Sequence, residues 1–444
     1  MKIKSQAAIQ LYFKRLAAVL LSIALTFLLI ARGVVPATSK IDSDFPNYFT
    51  AAKIVAGGGN AERLYDDGWF AEQMVRYGTW TGIPGKFSPF PPPTALLLIP
   101  LARLAPLDAL RAMTAVNMVC LVCSIVLLRR VLSLSLADSA AFVLLSGYAV
   151  VNVFRLGQPY ILVSLSCILG YYAYLKKRPM LAGLCFGLFV PLKYFPVVLL
   201  IYFAFRREWR VVLGGACAIL AVTLTSIGVL GWRIHEDFLS AILGNHLIGK
   251  IDMQDPFTAS FQSFDSLFRR LFIFDATANP QPLFASPLLQ IIMVTVTKAS
   301  ILLAGIVTIV KLARSGVATA TAPSVGLLGI LTLLLAPATA TYHFVLLWLP
   351  VGLLIKYFFQ ERTPVRAYLI LGAYTLIGFF PYRLAYAFEG RGGLTVLAYP
   401  RLFLLLAMFI ACIYFIWNRT EPNGTAVAGA DPRFSEFPGQ AIYK

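Results

Sequence analysis

The stretch LAAVLLSIALTFLLIARGVV, residues 16–35, decides the class of fold that this chain adopts. A helix needs roughly 20 mostly apolar residues to cross the hydrocarbon core of a bilayer, and this stretch supplies them. Its basic N-terminal flank is like that of a signal peptide. However, the apolar run is long, it ends without a small-x-small cleavage site, and further apolar runs follow it. We therefore predict that residues 16–35 form the first of several transmembrane helices.

The composition extends this prediction to the whole chain. Of the 444 residues, 59% are hydrophobic and only 13% are charged, and the mean hydropathy is +0.77. Soluble proteins carry about 25% charged residues. Because the deficit of charge runs along the entire length, the chain is predicted to be a polytopic protein of the lipid bilayer rather than a soluble domain with an anchor.

The formal net charge of +18 indicates the orientation of the chain in the membrane. The basic residues cluster in short connections between apolar runs, which is the pattern of cytoplasmic loops. This pattern predicts that both termini are cytoplasmic. No stretch interleaves basic and aromatic residues in a polar context, so we expect no binding of nucleic acid.

The apolar runs predict an all-α protein with about 12 transmembrane helices, within a range of about 11 to 13. Two long outer loops are expected at about 36–108 and 231–286. Residues 1–418 should form a single membrane domain, and residues 419–444 a disordered cytoplasmic tail. The predicted spans lie near 16–35, 110–128, 138–154, 160–175, 211–230, 288–311, 323–337, 344–359, 366–382 and 397–417, with shorter runs at 180–191 and 195–205 that form a broken hairpin.

Two acids follow directly after the first span, in the segment IDSDFPNY, residues 41–48. A carboxylate at the membrane surface beside aromatic residues is costly to place, and it suits the base of an enzyme that acts on a lipid-borne substrate. Asp42 and Asp44 are therefore candidate functional residues. Two alternatives remain open: both acids are ordinary solvated loop residues, or one of them caps the helix that follows.

Basic and polar residues also stand at the outer ends of apolar runs, namely Arg155 with Gln158, Lys193 and His343. Ionisable groups at that depth mark functional sites by default. The phosphate of a lipid monophosphate would supply the missing negative charge. The alternatives are that Arg155 and Lys193 extend to the membrane surface, and that His343 is a hydrogen-bonded histidine at the start of a helix.

Several short segments follow one another along the chain in a recognisable order, namely DFPNY at 44–48, LY at 64–65, FSPFPP at 87–92, GQPY at 157–160, LKYFP at 192–196, AP at 336–337 and YHF at 342–344. In their order and spacing they resemble the integral-membrane (GT-C type) glycosyltransferases, and most closely glycosyltransferase family 87. The sequence departs from the family pattern at two places, which bear on the acceptor and on the exact donor: Pro159 stands where a polar residue is expected, and residues 338–341 lack an expected tryptophan.

The resemblance implies the GT-C fold and a transfer reaction at the extracytoplasmic face of a bacterial plasma membrane. The donor would be a polyprenyl-phosphate sugar, with mannose as the sugar, and the acceptor a lipid-linked or cell-envelope glycan. Although residues 42–44 spell a DxD, a pattern that carries metal-bound nucleotide sugars in many soluble glycosyltransferases, three residues match by chance too often to indicate a metal. We expect no metal and no cofactor.

The resemblance also implies roles for individual residues. Asp44 would be the general base on the acceptor hydroxyl, because the family motif places the acid directly before the Phe-x-x-Tyr, and Asp42 is the alternative base. The phosphate would leave toward positive or polar groups. These groups are Arg155, Lys193 and Gln158, with His343 as a further catalytic residue and Tyr48 and Tyr342 as acceptor-binding or supporting residues.

Two other classes of protein remain as alternatives. A transporter or lipid flippase would carry ionisable residues in the middle of its helices and show repeat symmetry. Here Lys298 is the main candidate within a span, and no internal repeat is evident. A non-catalytic membrane component of polymer assembly is the second alternative.

Overall fold

The computed structural model describes residues 2–42, 44–82, 85–247, 257–314 and 320–418. Within these ranges every extended regular element is a helix, and a single isolated bridge joins Asp275 to Asn279. The predicted all-α fold is therefore confirmed. The tail predicted at 419–444 lies outside the described residues.

Six helices are long and apolar enough to cross a membrane, and the pair Leu136–Leu144 and Tyr148–Arg155, bent by 74°, makes a seventh if it counts as one span. Each of the other predicted spans also coincides with a helix, so the total of about 12 crossings stays a prediction. The six are Leu16–Ser39, Pro106–Leu132, Trp209–Leu230, Pro287–Arg314, Thr341–Gln360 and Pro400–Trp417; the shorter ones are Tyr160–Leu175, Pro179–Leu188, Val197–Phe205, Thr321–Leu335 and Pro364–Phe379.

The bend between Leu136–Leu144 and Tyr148–Arg155 lies at a glycine that no other residue could replace without strain. Gly147 has a φ of +56°, and a Cβ built on it would lie 2.6 Å from the carbonyl oxygen of Gly378. A positive φ is accessible to glycine at no steric cost, and the missing side chain lets the two backbones meet. The bend directs the end of Tyr148–Arg155 toward the first outer loop.

The predicted first outer loop is folded rather than extended in its described parts. It contains the helices Phe45–Ala56 and Asp67–Arg76 and the short 3-10 segments Ala61–Tyr65, Pro92–Leu96 and Ile99–Leu101. Phe45–Ala56 buries its apolar face, and this fixes the helix against the membrane domain. The packed residues are Phe45, Tyr48, Phe49 and Ala52 on the helix and Leu98, Ala109, Leu110 and Met113 opposite them.

The predicted second outer loop is also helical in its described parts. Arg233–Asp237, Phe238–Ile242 and Leu243–Leu247 continue from the span Trp209–Leu230, and Phe264–Phe272 precedes the span Pro287–Arg314. In Phe264–Phe272, Asp265 forms an ion pair with Lys298 of that span. The candidate mid-span cation of the transporter alternative is therefore neutralised within the protein.

Candidate active site

Asp44 directs its carboxylate into the protein and not onto the helix that follows it. It precedes Phe45–Ala56 at the N-cap position, but its side chain makes no capping hydrogen bond. Its Oδ2 accepts a hydrogen bond of 2.6 Å from Nε2 of Gln158, and the hydroxyl of Tyr342 also hydrogen-bonds to it. The alternative that Asp44 is a helix cap is therefore wrong.

A tight turn brings Gln158 to Asp44. The helix Tyr148–Arg155 ends just before Gly157, which has a φ of +62°. A Cβ on Gly157 would lie 2.8 Å from the ring of Phe45, so only glycine allows this turn to pack against the first helix of the outer loop. Gln158 is consequently buried, with 1% of its surface exposed.

Gln158 is the middle of a directed chain of hydrogen bonds. Since an ionised carboxylate can only accept, the amide nitrogen of Gln158 faces Asp44 and its oxygen faces the other way. That oxygen, Oε1, accepts a bond of 2.9 Å from the hydroxyl of Tyr48, and the same hydroxyl oxygen accepts a bond of 3.0 Å from Nζ of Lys193. Every donor points from the lysine toward the carboxylate, and aligned bonds polarise one another.

Lys193 is a buried cation in the connection between Pro179–Leu188 and Val197–Phe205. Its Nζ lies 4.5 Å from the ring centroid of Phe90, 5.1 Å from that of Tyr160 and 5.3 Å from that of Tyr48. The aromatic faces attract the ammonium, but no ion pair within 4.0 Å involves Lys193 in the described part of the chain. Burial lowers the pKa of Lys193 to about 7, against the opposing charge of Asp44.

His343 adopts the geometry of the helix-start alternative. Its Nδ1 accepts a hydrogen bond of 3.0 Å from the backbone N–H of Ala340, so the proton of the neutral ring is on Nε2. Nε2 then donates to the hydroxyl of Tyr160 over 2.7 Å. His343 therefore holds the ring of Tyr160 in its place beside Nζ of Lys193. The contact of His343 with the donor phosphate stays a prediction.

Asp42 and Arg155 pair with each other and stand apart from this chain of bonds. Nε of Arg155 donates to Oδ2 of Asp42 over 2.8 Å, and the arginine side chain is 48% exposed. The structure thus brings Asp44, Gln158 and Lys193 into one network and places the remaining predicted pair on its exposed side.

Two residues at the site had no role assigned from the sequence. Tyr160 links the lysine to His343, and Phe90 provides the ring nearest to Nζ of Lys193. Both lie in segments that carry the family resemblance, GQPY and FSPFPP, so an aromatic residue beside a polar motif was the available signal.

An apolar, partly open cavity lies beside the site. Phe195 belongs to both, since its ring centroid is 5.3 Å from that of His343 and it also lines the cavity. The remaining walls come from the helices Val197–Phe205, Tyr160–Leu175, Thr321–Leu335 and Thr341–Gln360. Across the described ranges, no group of three or more His, Cys, Asp or Glu residues is arranged to hold a metal ion.

Comparison with known proteins assigns the chain to a family. No curated protein and no solved structure matches it. The family model for glycosyltransferase family 87 matches residues 89–337, which is more than half of the chain. The matched range includes Gln158 and Lys193, begins after Asp44 and ends before Tyr342. The chain belongs to glycosyltransferase family 87 and is a multi-pass membrane glycosyltransferase.

Proposed function

We propose that this glycosyltransferase moves mannose from a polyprenyl-phosphate donor to a lipid-linked or cell-envelope glycan. The reaction takes place at the extracytoplasmic face of a bacterial plasma membrane, with both termini in the cytoplasm. One observation carries the proposal: a single hydrogen-bonded network, buried from Lys193 to Gln158 and half-buried at Asp44, joins the carboxylate of Asp44 to Lys193. Lys193 is a cation that has no ion-pair partner among the described residues. A base and an anion receptor are the two groups that this reaction needs.

The chemistry follows from the two ends of the network. The oxygen of the acceptor hydroxyl attacks the anomeric carbon of the donor sugar, and its proton passes to Asp44. The bond between that carbon and the phosphate oxygen breaks, and its electron pair stays on the phosphate. The released polyprenyl phosphate carries one more negative charge than the donor phosphate did, and the ammonium of Lys193 stabilises that charge. Attack from the side opposite the phosphate inverts the anomeric centre.

Tyr48 and Gln158 keep the carboxylate of Asp44 and the ammonium of Lys193 apart, so that each can act on the substrate. A direct ion pair between Asp44 and Lys193 would occupy the base and neutralise the cation. Instead, Tyr48 and Gln158 stand between them and hold each at one end of a chain of three hydrogen bonds. Positioned donors in a site with little water stabilise a developing charge without reorganisation at the moment of reaction.

The surroundings of the network suit an amphiphilic donor. The partly open apolar cavity beside Phe195 would contact the isoprene chain close to the phosphate, and the folded outer loops would receive the acceptor. Arg155 lies at the exposed side, where it would attract the anionic headgroup before the phosphate reaches Lys193.

The test is transfer of label from radioactive polyprenyl-phosphate mannose to a membrane lipid extract by purified protein in nanodiscs. Asp44→Asn is compared with Asp108→Asn, a matched control whose carboxylate is 55% exposed and pairs with Arg111 on the surface. We expect transfer by the parent and the control and a loss of transfer in Asp44→Asn.

The other outcomes are equally informative. Transfer by all three proteins would keep the donor class and exclude Asp44 as the base. No transfer by the parent from this donor or from other polyprenyl-phosphate sugars would contradict the proposal and favour the transporter alternative.

A further inference from the structure

Two buried polar atoms next to Lys193 have no hydrogen-bond partner in the described part of the chain: the hydroxyl of Tyr194 and Nδ1 of His246. Buried polar atoms in native proteins are nearly always paired, because an unpaired one loses its hydration without compensation. Two such atoms on neighbouring rings, beside the proposed phosphate receptor, indicate a ligand that supplies the partners.

The two atoms belong to different parts of the chain and meet at the site. Tyr194 follows Lys193 directly, and His246 lies on Leu243–Leu247 in the second outer loop. Their ring centroids are 6.4 Å apart. The hydroxyls of Tyr194 and Tyr160 are close enough to interact electrostatically, as are His246 and His343. Tyr194 and His246 therefore belong to the same group of neighbouring side chains as Tyr160, His343 and Lys193.

The chemistry of this cluster selects an anion. Burial, reinforced by the charge of Lys193, lowers the pKa of His246 to about 4, so the ring is neutral at pH 7 and can donate an N–H. Together with a phenol and an ammonium, it presents three donors. A metal ion would be repelled by Lys193, whereas the oxygens of a phosphate accept from all three.

We propose that Tyr194 and His246 bind the phosphate of the donor together with Lys193. The second outer loop thereby completes the phosphate site and contributes to the selection of a lipid-linked phosphate. This inference rests on the proposed function, since it assigns ligands to the phosphate of the same donor. It adds two residues to which the family resemblance assigned no role, although Tyr194 lies in the resembling segment LKYFP.

Binding of the released product, polyprenyl phosphate, tests the assignment without any sugar transfer. The protein is held in phosphatidylcholine nanodiscs, and its affinities for polyprenyl phosphate and for the uncharged polyprenol are measured by titration. Tyr194→Phe removes one oxygen, and His246→Gln replaces the ring by a neutral amide. We expect each variant to bind polyprenyl phosphate about tenfold more weakly, as for a lost hydrogen bond to a charged group, with unchanged affinity for polyprenol.

Matched controls separate this role from a general loss of structure. Tyr368→Phe changes an exposed tyrosine, and His235→Gln changes a histidine whose two nitrogens are already bonded to Gly231 and Ser226. Both controls should bind polyprenyl phosphate like the parent. Inorganic phosphate alone should compete poorly, because it lacks the isoprenoid chain.

Each failure has a distinct meaning. A parent that does not bind polyprenyl phosphate contradicts the proposed function itself. A parent that binds it, with Tyr194→Phe and His246→Gln binding equally well, overturns only the assignment of these two ligands. Equal weakening for the phosphate and for polyprenol would also overturn it, because the effect would then be on the apolar chain.

Discussion

Asp42 and Asp44 stand two residues apart and are both half-buried, but they have different partners. Asp42 forms an ion pair with Arg155, whose side chain is 48% exposed. Asp44 receives hydrogen bonds from Gln158, which is 1% exposed, and from Tyr342. The partners are three residues apart on one turn, yet each selects a different acid.

Asp42 thus belongs to an exposed ion pair, whereas Asp44 belongs to the hydrogen-bonded network of the candidate site. Exposed ion pairs contribute about 0 to 1 kcal/mol and are screened by salt, so the Asp42 pair can be lost at little cost. The half-buried carboxylate of Asp44 is held by two donors and so has a fixed position relative to the rest of the network. Proximity to the membrane alone does not distinguish the two acids; their partners do.

The largest expected effect comes from replacing each of the two acids in turn by asparagine. Asp44→Asn removes the proposed base and should lower the rate of transfer by about 10²–10⁴-fold, the usual contribution of general base catalysis. Asp42→Asn should lower it by less than about tenfold, because only an exposed pair is lost. Single-turnover transfer rates measure both, and equal losses would refute the distinction between the acids.

Deprotonation of Lys193 should cause the fall of kcat/KM on the alkaline side of its pH profile. Because its pKa is lowered to about 7, it loses its proton and its charge as the pH rises above that value, whereas an ordinary lysine stays charged to about pH 10. We expect kcat/KM of the parent to fall above about pH 7, and Lys193→Met to lose about 100-fold at pH 6.5.

Lys193→Arg provides the control for this limb, since a guanidinium stays protonated throughout the range. The variant should be slower than the parent but flat between pH 6.5 and 9. Asp44 and His246 also face Lys193, so an alkaline limb that persists in Lys193→Arg would assign the titration to another group.

A smaller effect is expected when the hydrogen-bonded chain between Lys193 and Asp44 is interrupted at Tyr48. Tyr48→Phe keeps the ring over Lys193 but removes the hydroxyl that donates to Gln158 and accepts from Lys193. Two hydrogen bonds are lost while the base and the cation remain, so we predict a loss of about tenfold in the transfer rate. A rate equal to that of the parent would show that the chain of bonds is not needed to position its ends.

The smallest effect is predicted for Arg155→Gln. Its exposed pair with Asp42 adds little to stability, so the unfolding temperature should stay within about 2 °C of that of the parent. The transfer rate should fall by less than about tenfold and lose part of its dependence on ionic strength, because the arginine acts through long-range attraction. A loss as large as that of Lys193→Met would make Arg155 the main phosphate ligand.

Much of the fold could be predicted from the sequence because the bilayer imposes it. The apolar runs had to be helices, and each predicted span has a helix at its position. The bend at Gly147 could not be predicted, because it depends on the approach of Gly378 from a helix more than 200 residues later. Contacts of this kind are set by packing and leave no local pattern.

The sequence singled out several residues that the structure brings together at the candidate site, but not the hydrogen bonds between them. Gln158 and Lys193 are conspicuous because polar groups at the ends of apolar runs are costly, and Asp44 because it follows the first span. Which acid pairs with Arg155 depends on the turn at Gly157. His246 could not be found in this way, since its loop shows neither spacing nor hydropathy that would place it beside Lys193.

The most direct test of the central claim, that Asp44 and Lys193 have separate roles in one network, is the affinity for polyprenyl phosphate of Asp44→Asn and Lys193→Met in nanodiscs. We predict that Asp44→Asn, which loses transfer, binds the product at least as tightly as the parent because a negative charge is removed. Lys193→Met should bind it at least about tenfold more weakly. Equal affinities in the two variants would contradict the division into a base and a phosphate receptor.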